Sequence, residues 1–178
     1  MIIGVTGSLG TGKTRVARMF GRFGAYIIDA DKIVHRILDK SARRHLAGLV
    51  FDDKEALKKL CRVIHPIVKK EIFRALKKNK SKKTIVIDAP LLIESGLDKK
   101  CDYLVVVKAA LTKQLERAAK NLSLSRNQIL KRIRLQMPLK KKMALADFVI
   151  DNGGSLKNTE KQVRKVWEEL RWRKKWKK

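Results

Sequence analysis

A glycine-rich octapeptide near the amino terminus restricts the possible folds more than any other feature of this sequence. Residues 7–14, GSLGTGKT, follow an apolar, β-branched run and precede a segment with helical apolar spacing. The octapeptide fits the pattern G-x-x-x-x-G-K-[ST], in which glycines let backbone N–H groups surround a phosphate and the following helix adds the positive end of its dipole. The sequence therefore predicts a strand, a phosphate loop and a helix, in that order.

The last two residues of the octapeptide predict how a nucleotide is held. We expect Lys13 to reach the β- and γ-phosphates of ATP and Thr14 to place its hydroxyl on Mg²⁺. A plain glycine-rich turn between a strand and a helix is the alternative, but such a turn needs neither residue. The pattern therefore indicates an ATP-binding protein without saying where a phosphoryl group would go.

Five short apolar runs alternate with longer segments of helical spacing. Each run is typical of a buried strand, and strands separated by helices predict one parallel sheet covered by helices on both faces. We therefore expect a single α/β domain over residues 1–178. The predicted strands are Met1–Val5, Tyr26–Ile28, Thr84–Ile87, Tyr103–Val107 and Phe148–Ile150. A lysine-rich run, Lys77–Lys83, is expected to be a solvated loop before the third strand.

Composition limits the class of partner and the compartment. The chain has 178 residues, with 44 Lys plus Arg against 17 Asp plus Glu, and a formal net charge of +27. That charge favours polyanions such as nucleotides, phosphorylated cofactors or nucleic acids. Cys61 and Cys101 form no C-x-x-C pair and are expected to be small core residues in a reducing compartment. With no leader and no membrane span visible, a cytoplasmic location is expected.

Carboxylates follow two of the predicted strands in a chain that has few acids. Asp29 and Asp31 come after the second strand, and Asp88 and Glu94 after the third. The carboxyl ends of parallel strands share the edge where the phosphate loop also lies, so one acid can orient a hydroxyl and another can hold metal-bound water. We expect Asp29 to be an N-cap or turn residue, and Asp31 to cap a helix beginning near Lys32 or to face the cleft.

Further motifs accompany the phosphate loop along residues 2 to 165. They are the Ile28–Asp31 segment IDAD, the pair His65-Pro66, the Ile87–Glu94 segment IDAPLLIE, Gln114-x-x-Arg117, Arg132-x-x-x-Gln136 and the Ala146–Asn152 segment ADFVIDN. In this order the motifs resemble those of the dephospho-CoA kinase family, which performs the last step of coenzyme A biosynthesis. The resemblance implies a three-layer P-loop kinase fold with a helical lid, and transfer of the ATP γ-phosphate to the 3′-hydroxyl of dephospho-CoA, giving coenzyme A and ADP.

The same resemblance implies roles for individual residues. Asp31 would be the base or hydroxyl-orienting residue and would act with Lys13 in catalysis, while Thr14 and Asp88 would lie at Mg²⁺. The implied ATP-binding residues are Gly10, Thr11, Gly12, Lys13, Thr14, Arg15, Arg117 and Asn152, the last near the adenine. The implied acceptor-binding residues are Thr6, His65, Pro66, Leu91, Leu92 and Glu94. The implied lid residues are Arg117, Arg132 and Lys142.

The resemblance also divides the chain into regions. An acceptor-side helical region would occupy about residues 31–83 and a lid about residues 112–146, and a mobile basic lid would neutralise phosphate charge and exclude water. The chain departs from the family pattern in two places. It is shorter between Asp31 and His65, after Leu38, and Asn121 stands where the family commonly has a second lid arginine, with Lys120 beside it.

Two other functions stay open on the sequence alone. The generic ATP loop and the shortened acceptor region also fit a nucleoside or nucleotide kinase. The net charge and the basic tail, residues 171–178 with Trp172 and Trp176, fit a nucleic-acid-dependent ATPase, although such a tail is also typical of a solvated terminus. No membrane insertion is expected, and the sequence does not indicate an oligomeric state.

Overall fold

Five parallel strands form one sheet in the computed structural model, which describes residues 1–38 and 54–176. The strands are β1 (Ile2–Thr6), β2 (Tyr26–Asp29), β3 (Ile85–Asp88), β4 (Tyr103–Lys108) and β5 (Phe148–Asp151). Their order across the sheet is β2-β3-β1-β4-β5, and every neighbouring pair is parallel. The α/β fold predicted from the sequence is confirmed, and each predicted strand end lies within one residue of the observed end.

Helices connect the strands and cover both faces of the sheet. They are α1 (Lys13–Arg22), α2 (Ala30–Ile37), α3 (Lys54–Lys78), α4 (Leu111–Leu122), α5 (Arg126–Arg134), α6 (Leu139–Ala144) and α7 (Leu156–Trp176). The prediction of a loop over Lys77–Lys83 is wrong for its first two residues, because α3 continues through Lys78. Residues 39–53 of the expected acceptor-side region, the end of the basic tail and the side chain of Cys61 lie outside the described residues.

Alternating strand residues build two apolar layers. Ile3 and Val5 of β1 pack with Phe20 of α1 and Trp167 of α7 on one face of the sheet. The cluster on the opposite face contains Ile28 of β2, Ile85 and Ile87 of β3, Ile33 of α2 and Ile72 of α3. Because both faces are covered, the central strands are apolar along almost their whole length. Cys101 lies at the edge of the second cluster, half-buried, and burial raises the pKa of its thiol to about 12.

The strand order brings three strand ends together at the start of α1. Val5 of β1 is in register with Asp88 of β3, which is in register with Asp29 of β2. Since β1 leads into the glycine-rich loop, this register sets the loop beside both aspartates. The phosphate loop and the acidic strand ends therefore share one edge of the sheet, as the parallel arrangement requires.

Helices α4, α5 and α6 form the excursion between β4 and β5, where the sequence predicts a helical segment at about residues 112–146. Leu115 and Ala118 of α4 and Ile129 of α5 make a small buried cluster separate from the two sheet layers. Leu9 of the phosphate loop packs against this cluster. One attachment of the excursion to the rest of the domain therefore lies at the tip of the loop.

Candidate active site

The glycine-rich loop takes the shape that its sequence requires. Gly10 and Gly12 have φ angles of +79° and +86°, in the left-handed region that side-chain-bearing residues rarely adopt. The backbone N–H of Thr11 donates to Ser8 O at 3.2 Å, and that of Arg15 donates to Gly12 O at 3.0 Å as α1 begins. The loop thus wraps the amino-terminal end of α1, where backbone N–H groups and the helix dipole favour a bound anion.

A buried asparagine supports the loop from behind. The side-chain amide of Asn152, just after β5, donates to Thr11 O at 2.8 Å, and its Oδ1 accepts from the Thr159 hydroxyl at 3.0 Å. The Arg117 guanidinium donates to Asn152 O at 2.8 Å. Both the amide nitrogen and the amide oxygen of the Asn152 side chain are therefore hydrogen-bonded within the protein. Arg117 contacts the same side of the loop, through Asn152 O and Thr11 O.

Neighbouring residues leave no room for a side chain at the two left-handed glycines of this loop. A Cβ atom built at Gly12 would lie 2.2 Å from Nδ2 of Asn152, and one at Gly10 would lie 2.2 Å from the backbone oxygen of Gln114. Two independent constraints, the φ angle and the contact, therefore require glycine at both positions. Nothing in the octapeptide pattern itself predicts the second constraint.

Lys13 of the phosphate loop and Asp31 of α2 form an ion pair. Nζ of Lys13 lies 3.3 Å from Oδ2 of Asp31, and the side chains are 15% and 52% exposed, respectively. Asp29, two residues earlier, accepts the backbone N–H of Lys32 at 3.0 Å and caps α2, which confirms its expected N-cap role. The helix begins at Ala30 and not near Lys32, so the alternative in which Asp31 is the cap is wrong. Asp31 lies in the first turn, where its carboxylate reaches the loop lysine.

Asp88 is a buried carboxylate beside the loop. Its exposure is 2%, and neither carboxylate oxygen has a hydrogen-bond partner of standard geometry among the described residues. Burial raises the pKa of this carboxyl group to about 6; nearby Lys13 and the Thr14 hydroxyl oppose the rise, while the charges of Asp29 and Asp31 add to it. Buried oxygens without partners are costly unless a cation or proton satisfies them. A carboxylate beside a threonine hydroxyl is an oxygen donor set that fits Mg²⁺.

Lys142, expected in the lid, and Glu94, expected on the acceptor side, are in direct contact in the structure. The expected lid residue Lys142 is fully buried and lies 2.9 Å from Oε1 of Glu94, an expected acceptor-side residue. Nζ of Lys142 also donates to Pro90 O at 2.6 Å, and the buried Thr6 hydroxyl donates to the same carbonyl at 3.2 Å. Burial lowers the pKa of Lys142, Glu94 opposes this, and Lys13 lowers it further. Lys142 therefore fixes the loop that follows β3.

Other expected site residues occupy more varied positions. His65 of α3 is half-buried, and burial and Lys69 lower its pKa while Glu94 opposes. Pro66 follows it on the exposed side of the same helix. Leu92 is fully buried in the second apolar layer, whereas Leu91 is partly exposed. Arg15 is exposed at the start of α1, and burial lowers the pKa of the half-buried Arg132 on α5.

Gln136 is a site neighbour to which the sequence assigns no role. Its Oε1 accepts the Ser8 hydroxyl and the Leu9 backbone N–H, each at 3.1 Å. Gln136 belongs to one of the family-like motifs, and that is the only signal in the sequence that marks it. Local pattern cannot show the contact, since the partners are more than 120 residues apart along the chain.

A cleft of about 460 Å³ opens beside the aspartates at the edge of the sheet. Its lining includes Thr14 and Asp88 together with the basic residues Arg18, Lys32 and Arg36. In the described ranges, 1–38 and 54–176, no cluster of three or more His, Cys, Asp or Glu side chains could bind a metal ion. No helix in these ranges is both long enough and apolar enough to cross a bilayer.

Comparison with known proteins gives a consistent result over almost the whole chain. A family model described as dephospho-CoA kinase matches residues 1–42 and 38–158. The dephospho-CoA kinase of Aquifex aeolicus is 41% identical over 191 residues, covering 94% of this chain and 96% of the relative. That of Carboxydothermus hydrogenoformans is 36% identical over 196 residues, covering 97% of this chain and 95% of the relative.

Solved structures agree with the sequence matches. The dephospho-CoA kinase from Campylobacter jejuni superimposes with a TM-score of 0.67 at 26% identity and covers 95% of this chain and 96% of its own. A shikimate kinase from Acinetobacter baumannii superimposes with a TM-score of 0.62 at 17% identity, covering 97% and 94%, respectively. The second likeness concerns the fold alone, which is that of a P-loop kinase.

Proposed function

This chain belongs to the dephospho-CoA kinase family, and we propose that it transfers the γ-phosphate of ATP to the 3′-hydroxyl of dephospho-CoA, giving coenzyme A and ADP. The observation that carries the proposal is the 3.3 Å contact between Lys13 of the phosphate loop and Asp31 after β2. It sets a group that can bind phosphate directly beside a group that can orient a hydroxyl. Phosphoryl transfer depends on this kind of positioning, since little covalent chemistry is required of the protein.

Each of the two residues would have one main task. Lys13, at the amino-terminal end of α1, would contact the β- and γ-phosphate oxygens and offset the charge that develops during transfer. Asp31 would accept a hydrogen bond from the acceptor hydroxyl and receive its proton as the new P–O bond forms. The half-exposed position of Asp31 leaves it accessible to an acceptor, while Lys13 is largely enclosed.

The unsatisfied oxygens of Asp88 support a magnesium site next to the phosphates. Thr14 and Asp88 would hold the ion, directly or through water, and Mg²⁺ bound there would neutralise phosphate charge. Asp88 binds a cation only when it is ionised, and its pKa of about 6 leaves it mainly ionised at neutral pH. Lys13 then has two acidic neighbours, Asp31 and Asp88, and a bound Mg²⁺ would offset the negative charge that these carboxylates and a triphosphate bring together.

The helical excursion between β4 and β5 would serve as the lid. Arg117 already contacts the rear of the phosphate loop, with Nη1 at 3.5 Å from Thr11 O, and Arg132 lies on α5 in the same excursion. Closure of such a basic segment would add positive charge and exclude water, so that ATP is not hydrolysed. Asn152 would act mainly through Thr11, by holding the loop in its nucleotide-binding shape.

An acceptor panel with product identification tests the proposed function. The protein is incubated with Mg²⁺ and ATP, and separately with dephospho-CoA, nucleosides, nucleotides, DNA or RNA, and products are identified by mass. We expect coenzyme A and ADP in equal amounts from dephospho-CoA. A nucleoside or nucleotide that outcompetes dephospho-CoA, or ATP hydrolysis stimulated by nucleic acid without coenzyme A formation, would contradict the proposal.

A further inference from the structure

The tip of the phosphate loop is held by a side chain from the connector between α5 and α6. The two donors at the tip, the Ser8 hydroxyl and the Leu9 N–H, both point at Oε1 of Gln136, at 3.1 Å each. One carbonyl oxygen has two lone pairs, so a single side-chain oxygen can satisfy both donors. Ser8 is buried, so loss of the Gln136 side chain would take a hydrogen-bond acceptor from a buried hydroxyl, which costs free energy.

The connector itself is fixed to the loop that follows β3. The backbone N–H of Met137, the residue next to Gln136, donates to Oε1 of Glu94 at 2.9 Å. Glu94 is in turn bound by the buried Lys142, at 2.9 Å. Two adjacent residues of the connector therefore bind two different loops, one at the expected ATP site and one at the expected acceptor site.

Apolar contacts strengthen the attachment of the loop tip. The Leu9 side chain packs on the cluster of Leu115, Ala118 and Ile129, which belongs to the same helical excursion. Gln136 also donates its own backbone N–H to Ile133 O at 3.1 Å, which continues the turn of α5 into the connector. The glutamine is thus held by its backbone while its side chain holds the loop.

From these contacts we propose that Gln136 is a positioning residue for phosphoryl transfer, which fixes the tip of the phosphate loop relative to the Pro90–Glu94 loop. This inference rests on the proposed function, because it concerns how the two substrates are aligned. Small misplacement of reacting groups costs rate more than binding, so the contribution of Gln136 falls mainly on kcat. A neutral amide suits this position because it accepts two hydrogen bonds without repelling a triphosphate.

Kinetics of three variants test the role in transfer. For Gln136→Ala we expect kcat to fall about 10- to 100-fold while KM for ATP changes by less than about threefold. Gln136→Glu retains the accepting oxygens, so kcat recovers to within about fivefold of the original, while its negative charge raises KM for ATP about tenfold. The control is Gln128→Ala on α5. The Gln128 side chain accepts the backbone N–H of Ser125 at the start of its own helix, and we expect this variant to leave kcat unchanged.

Hydrogen exchange of the substrate-free protein tests the contact independently of any activity. We expect the Leu9 amide to exchange at least about tenfold faster in Gln136→Ala, and to be unchanged in Gln128→Ala. Unchanged exchange, or a kcat equal to that of the control, overturns the inference, as does failure of Gln136→Glu to recover kcat. If the acceptor panel gives no coenzyme A, the proposed function fails instead, and the kinetic comparison is made with the acceptor that the panel identifies.

Discussion

Lys142 and Glu94, 48 residues apart in the chain, form an ion pair at 2.9 Å in which the lysine is completely buried. The lysine lies on α6 before the last strand, and the glutamate lies in the loop after β3. The pair therefore joins the end of the helical excursion to the expected acceptor side. A buried ammonium is tolerated here because Pro90 O and the carboxylate both accept its hydrogen bonds.

Removing the lysine should destabilise the fold. For Lys142→Met we expect the free energy of unfolding, measured by urea denaturation, to fall by about 3 kcal/mol, because Glu94 and Pro90 O lose a buried partner. The exposed Lys140 on the same helix supplies the control, and Lys140→Met should change the same quantity by less than about 0.5 kcal/mol. In the double variant Glu94→Gln/Lys142→Met the losses should not add, because the two residues share one interaction. Additive losses would contradict the pairing.

Asp88 should make stability depend on pH in the absence of magnesium. Its pKa is raised from 3.8 to about 6, so the folded chain keeps the proton over a range in which the unfolded chain loses it. Stability therefore falls as pH rises from about 4 to about 6, and the buried charge costs about 3 kcal/mol above that range.

The variant Asp88→Asn removes this cost. In EDTA at pH 7.5 we expect it to be more stable than the original protein by up to about 3 kcal/mol, and at pH 4 the gain should nearly vanish. Thermal unfolding at the two pH values measures the difference. Added Mg²⁺ should raise the Tm of the original protein only. A variant that is less stable than the original at pH 7.5 would show that the carboxylate is satisfied within the protein.

Asp31 should matter for transfer and little for nucleotide capture. With Asp31→Asn we expect kcat to fall about 10²- to 10⁴-fold while the affinity for ATP stays nearly constant, because an amide cannot accept the hydroxyl proton. Asp29→Asn is the matched control, since asparagine caps a helix as well as aspartate does. Initial rates and ATP titrations of both variants measure the split. Equal losses of turnover and ATP affinity in Asp31→Asn would argue against a base.

Asn152 should affect ATP binding through the shape of the loop. Its replacement by alanine removes the hydrogen bonds to Thr11 O and from Thr159. We expect the Kd for ATP, measured by calorimetry, to rise about tenfold, which corresponds to about 1.4 kcal/mol and to the loss of one or two buried hydrogen bonds. The exposed Asn127 on α5 offers a control, Asn127→Ala, that should leave the Kd unchanged. An unchanged Kd in Asn152→Ala would mean that the loop keeps its shape unaided.

Local features of the sequence predicted most of the fold. Strand ends could be placed within one residue because β-branched runs stop where Thr, Asp or Lys begins, and a parallel sheet follows from their alternation with helices. The N-cap at Asp29 was predictable because capping depends on neighbouring residues alone. The sequence predicts that α2 begins near Lys32, two residues after its observed start at Ala30. Both Asp29 and Asp31 are residue types that cap helices, so the local sequence does not show which of them is the N-cap.

The candidate site could be predicted only where chemistry and local pattern coincide. Lys13 and Thr14 belong to one short motif, and Asp31 and Asp88 follow strands whose ends had to meet. The pairing of Lys142 with Glu94 could not be predicted, because a lysine in a basic segment has the pattern of a solvated helix face. Long-range contacts of this kind depend on how helices pack, which a single sequence does not encode in any local period.

The left-handed glycines of the loop carry a consequence for relatives of this chain. An alanine at Gly12 would collide with Asn152, and one at Gly10 with the backbone at Gln114, whether or not a nucleotide is present. A descendant that had lost all phosphotransfer would still be under selection to keep both glycines for packing. In such a sequence the glycine spacing would indicate common ancestry and a shared loop structure. Retention of the adjoining lysine and threonine would be the evidence for phosphoryl transfer.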